Sequence, residues 1–150
     1  MDEELLPDDL VAPSGVRVNM LLCDSAQAVG GKLFVLGGGL SVMGPRPQPL
    51  AIAIHVTVPW DRGNVKHDWR IDLVDEDGRP VMVNDKPIAV RGQFEAGRPS
   101  GLRAGTPLGV ALAINLTALR LRPGVGYSFV FTVAGESRAE WRSQLFVKDA

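Results

Sequence analysis

The stretch LRLRPGVGYSFVFTVAGESRAEWRSQLFVKDA, Leu119–Ala150, decides the fold class. Arg122-Pro123-Gly124 reads as a turn. After it Tyr127, Phe129, Phe131 and Val133 fall two residues apart. Ala134-Gly135-Glu136 turns the chain again, and Trp141, Ser143, Leu145 and Val147 repeat the same spacing. Side chains two apart share one side of a strand, so each half presents an apolar face to a core. Two strands that close a compact β-sandwich have this pattern. The final Pro-Gly-x-x-Tyr also sets Tyr127 just after a turn, at a strand start. Immunoglobulin-like sandwiches carry a tyrosine there, with its hydroxyl bonded back to the connecting loop.

The same period runs upstream. Val16, Val18, Met20 and Leu22 alternate with Arg17, Asn19, Leu21 and Cys23, and Lys32–Leu36 reads as a second strand. Ala51–Val58 is the cleanest interior strand, with Ile52, Ile54, Val56 and Val58 on one face. His67, Trp69, Ile71 and Leu73 mark the next strand. It leads to Asp75-Glu76-Asp77-Gly78, a hairpin turn with Val81 and Val83 beyond it. Leu108–Leu116 is apolar on both faces. Ala and Leu are helix formers, but the two-residue period and the Pro-Gly surroundings favour a strand. Residues 84–107 are the least regular, with one short strand expected over Ile88–Phe94.

These elements predict an all-β, two-layer antiparallel β-sandwich of eight or nine strands, immunoglobulin-like or of the calcium-binding type. A barrel is the alternative. The 150 residues make one domain, 16–150, behind an acidic lead over 1–15. The 17 Gly and 11 Pro without a period mean many turns rather than disorder.

Charge and cysteine content exclude several classes. The net charge of −1 offers no general attraction to nucleic acid or anionic lipid. Asp2, Glu3, Glu4, Asp8 and Asp9 stand in residues 1–10 with no basic residue among them, which leaves the rest mildly basic. Cys23 is the only cysteine, so no internal disulfide forms, and Leu21 and Leu22 beside it suggest a buried, inert thiol. No signal peptide and no membrane-spanning run is read, and a cytoplasmic bacterial location is expected.

No cluster reaches a catalytic or metal signature. Gly37-Gly38-Gly39 lacks the following Lys-Ser or Lys-Thr of a phosphate loop and reads as a bulge or close crossing. Asp75, Glu76, Asp77 and Asp85 bring carboxylates near one another, as Ca²⁺ would need, but a solvated acidic hairpin explains them equally. His55 and His67 would approach if their strands paired across the Trp60 loop; zinc would still need Cys23 or Asp68. Trp60 beside Arg62 is either a contact anchor or a lid on the core. Arg91, Arg98 and Arg103 form a candidate basic rim without the interleaved aromatics that nucleic-acid binding requires. No metal and no cofactor is expected.

Asn19–Gln27, Gly31–Gly39, Val58–Asn64 and Leu73–Gly78 together resemble a bacterial family of unknown function, found mainly in actinobacteria. The resemblance runs over about residues 16–148. It implies a shared fold and no reaction. It also implies a common functional or oligomeric surface formed by Asp24, Gly37, Gly38, Gly39, Trp60, Asp61 and Arg62.

The expected function is a non-enzymatic module that binds protein, its own copies included, through sandwich edges and the apolar strand 108–116. The first alternative is a small-ligand or metal-binding module, or an unrecognised hydrolase, using Asp24, His55 or His67 with Asp61 and Arg62. The second, from analogy of fold alone, is a phage or prophage structural component.

Overall fold

A computed structural model describes residues 14–117 and 119–150. Apart from Ser14 and Gly15, the acidic lead lies outside the described residues. The strands are β1 (Arg17–Cys23), β2 (Ser25–Val29), β3 (Lys32–Leu36), β4 (Val42–Met43), β5 (Leu50–Val58), β6 (Lys66–Asp75), β7 (Met82–Val83), β8 (Lys86–Pro87), β9 (Ala89–Glu95), β10 (Leu108–Leu116), β11 (Gly126–Val133) and β12 (Arg142–Val147). The fold is all-β. Nine of these twelve strands have five or more residues; β4, β7 and β8 have two each, too short to leave a periodic trace in a sequence.

Eight strands form two facing sheets. One has the order β1-β5-β10 and the other β4-β12-β11-β6-β9. Neighbours are antiparallel except β12 and β4, which run parallel over Phe146↔Val42 and Val147↔Met43. Between the sheets lies one core of Ile52, Ile54, Val56, Ile71, Leu73, Phe129, Phe131, Trp141 and Leu145, with their neighbours. Burial of residues two apart along β5 and β11 holds the layers together, and Phe131 is fully enclosed. Tyr127 behaves as its position implies: its hydroxyl accepts a 2.9 Å hydrogen bond from the Arg122 amide, tying the turn to the start of β11.

The back of the three-stranded sheet is covered as well. β2 and β3 form a hairpin that packs across β5 and β10. Ala51 and Ala53 of β5 are small enough to let it approach, and with Cys23 and Ala26 they make a second buried cluster. This explains why the back face of β5 is small and apolar at Ala51 and Ala53, ahead of His55 and Thr57. Asn115 of β10 pins the hairpin: its amide donates to the Ala26 carbonyl (2.8 Å) and its oxygen accepts from the Ala26 N–H (3.2 Å).

The hairpin expected at Asp75–Gly78 is short. Beyond the turn Pro80 bridges back to Val74 and the Val81 amide donates to the Leu73 carbonyl at 3.0 Å, while Met82–Val83 pair with Lys86–Pro87. The long partners of β6 are instead β9, over Lys66↔Glu95 to Asp72↔Ala89, and β11, over Trp69↔Val133 to Asp75↔Tyr127. No helix among the described residues is long and apolar enough to cross a membrane, which leaves membrane-crossing β-barrels unaddressed.

Candidate interaction surface

β10 is the outer strand of its sheet. All nine of its residues pair with β5, from Leu108↔Val58 to Leu116↔Leu50. Among the described residues no other backbone group bonds to its far side. In an antiparallel pair every second residue turns its N–H and C=O away from its partner, so those groups face outward here. The strand reads Leu-Gly-Val-Ala-Leu-Ala-Ile-Asn-Leu, with no charge and no proline. Val110, Leu112, Ile114 and Leu116 point at the core yet stay only half buried. Natural edge strands are shielded by charges, prolines, bulges or shortness; β10 has none of these devices.

Above this strand, on the hairpin's outer face, Phe34 and Leu36 are 56% and 69% exposed. On the sheet's own outer surface Gly109 leaves room for the His55 ring, since a Cβ there would stand 2.8 Å from Nε2.

The residues proposed from the family resemblance separate into two groups. Asp24 closes the hairpin base, where its N–H donates to the Leu36 carbonyl at 2.9 Å. Gly37 has φ +64, and a Cβ on it would lie 2.2 Å from the Asp24 carboxylate. Gly38 sits against Leu21, and the Gly39 and Leu40 amides both donate to the Leu22 carbonyl. The glycines therefore make a close crossing over the β1 edge. Trp60, Asp61 and Arg62 form a single 3-10 turn just past β5. Asp24 follows Cys23, which pairs with Ala51 at the other end of β5. The strand between spans roughly 23 Å, so the two groups sit at opposite ends of the sheet.

The Trp60 turn is clamped by the exposed Arg98. Arg98 donates from Nε and Nη2 to the Trp60 carbonyl (3.1 and 2.6 Å), and its guanidinium lies 4.9 Å from the indole centroid. Trp60 is half buried against the core, a lid on its end. Arg98 thus serves this turn, while Arg91 stands on the outer strand β9.

His55 and His67 do not meet through strand pairing: β5 and β6 belong to different sheets. His67 is buried, tilted against Phe94 with ring centroids 5.3 Å apart, and its Nε2 donates to the Arg62 carbonyl at 3.1 Å. Arg62 and His67 share a cleft of about 410 Å³ with Val16, Val133 and Glu136, but Asp24 and His55 do not reach it. Of the residues in the small-ligand reading, this cleft brings together Arg62 and His67.

Two carboxylates of the acidic hairpin accept hydrogen bonds from backbone amides. Asp75 Oδ1 accepts from the amides of Asp77 and Arg79, both at 2.9 Å. Glu76 Oε1 accepts from Gly126 at 2.9 Å. Among the described residues no three His, Cys, Asp or Glu side chains are grouped to hold a metal. Cys23 is fully buried, with Sγ 3.6 Å from the Ala51 carbonyl. Burial, and then the Asp24 carboxylate, raise its thiol above the ordinary value, which keeps it protonated and unreactive.

Sequence reasoning singled out strand 108–116 as apolar, but the open side of β10 had no sequence signal of its own. No curated protein and no solved structure matches the chain. Residues 19–146, most of the sandwich, match the model of a family described as a family of unknown function (DUF6941), and the chain belongs to that family.

Proposed function

We propose that this protein is a non-enzymatic β-sandwich that associates with other polypeptide through the open edge of β10, beginning with copies of itself. One observation carries the reading: a nine-residue outer strand without charge or proline, four of whose five core-facing side chains (all but Leu108) are only half buried. A strand added beside β10 would satisfy the outward backbone groups and finish burying Val110, Leu112, Ile114 and Leu116.

Light scattering at micromolar protein tests it. The expected particle is heavier than the 16.1 kDa chain. Ala111→Lys places a charge on the outer surface of β10 and is expected to return the mass to that of one chain, with the circular dichroism unchanged. A wild-type particle of 16.1 kDa throughout the micromolar range overturns the proposal. So does a heavier particle that Ala111→Lys leaves intact.

A further inference from the structure

Resting on the association just proposed, we infer that the occupant of the β10 edge is a second copy of β10, running antiparallel about a two-fold axis at Leu112. The support is a property of the strand that openness alone does not require. Leu-Gly-Val-Ala-Leu-Ala-Ile-Asn-Leu reads almost the same in both directions. Set antiparallel on itself about Leu112, it places Leu108 opposite Leu116, Val110 opposite Ile114 and Ala111 opposite Ala113.

An isologous contact demands that a surface be complementary to its own rotated image. Here each inward apolar residue meets one of like size, and each outward alanine meets an alanine. The strand carries no charge, so the axis brings no like charges together.

The one unmatched pair is Gly109 opposite Asn115, and both have duties inside their own chain. Gly109 makes room for His55, and Asn115 holds the β2–β3 hairpin. The hairpin lies on the back of the sheet, away from the plane in which a new strand would add. The resulting sheet would have six strands, β1-β5-β10 followed by the partner's β10, β5 and β1.

Cysteine cross-linking reads the register. In a Cys23→Ala background, one preparation carries Leu112→Cys; another mixes chains carrying Ala111→Cys with chains carrying Ala113→Cys. Successive pairs alternate between wide and narrow spacing, so one of the two designs falls on the closer pair. On mild oxidation that design is expected to move the protein from the monomer to the doubled mass on a non-reducing gel: most of it for Leu112→Cys, or about half for the mixed preparation, where random pairing makes half of the dimers mixed. Gly109→Cys or Ala111→Cys alone should stay monomeric on the gel. Circular dichroism establishes that each variant is folded. If light scattering shows an oligomer that Ala111→Lys returns to one chain while neither design cross-links, the two-fold register is overturned and association through β10 stands; an oligomer that Ala111→Lys leaves intact overturns both. If the protein is monomeric by light scattering, both fall.

Discussion

β9 and β10 hold equivalent places, each the outer strand of one of the two facing sheets, and they are built in opposite ways. β9 turns Arg91, Gln93 and Glu95 to solvent. Gln93 donates at 2.7 Å to Asp68 on the neighbouring strand, so even its polar row is engaged within the sheet. A foreign strand beside β9 would meet two charges. β10, two residues longer, has no charge along its length. The remaining edges are also protected: β4 has two residues, and β1 starts with Arg17 and is crossed at Leu22 by the glycine run. One fold thus contains both answers to the problem of unpaired backbone, a shielded edge and an inviting one. The contrast teaches that the openness of β10 is local and selective, not a general property of this sandwich.

The largest expected effect tests whether β9 is a rigid edge. Gly92 lies under the Trp69 ring, and a Cβ there would come within 2.6 Å of the indole. Gly92→Val is expected to displace Trp69 and cost about 1–3 kcal/mol, as overpacking does. A urea unfolding curve measures this, and an unshifted midpoint would show the indole free to move aside.

A smaller effect is expected on the β10 side. Asn115→Ala removes both bonds to Ala26 and is expected to cost about 1–2 kcal/mol. Hydrogen exchange should speed in the β2–β3 hairpin while β11 keeps its protection. Equal acceleration in both would mean that the hairpin and the sandwich open as one unit.

The smallest effect on stability sharpens the contrast most. Arg91→Val combined with Glu95→Val changes exposed residues and is expected to stay within about 0.5 kcal/mol of wild type. The mass by light scattering should nevertheless grow at high concentration, because β9 has lost its shield. An unchanged mass would show that charge is not what keeps β9 unpaired.

Much of the fold was legible because strand alternation is written residue by residue. Ile52, Ile54, Val56 and Val58, then Tyr127, Phe129, Phe131 and Val133, are buried as their spacing implied. Tyr127 could be assigned its bond to the preceding loop from a Pro-Gly turn and a distance of a few residues. Leu108–Leu116 was readable as an apolar strand despite its helix-forming Ala and Leu. The site was less legible. The meeting of Asp24 with Gly37 depends on the return of β3 to the β1 edge. The separation of Trp60 from both depends on the direction in which β5 runs. Whether His55 and His67 would face each other turned on whether their strands paired; β5 and β6 entered different sheets, and no local pattern records that choice.

By itself, the amino-acid sequence determined which residues could form strands and which side of each strand seeks a core. Both follow from the two-residue pleat and the transfer of apolar surface out of water. Only the tertiary structure decided that β10 would end its sheet, that Asn115 would secure a hairpin on its back, and that β6 would pair with β9. Strand order is set by contacts between distant parts of the chain. Their pairing energies compete with one another, and a local pattern is compatible with many of the possible outcomes.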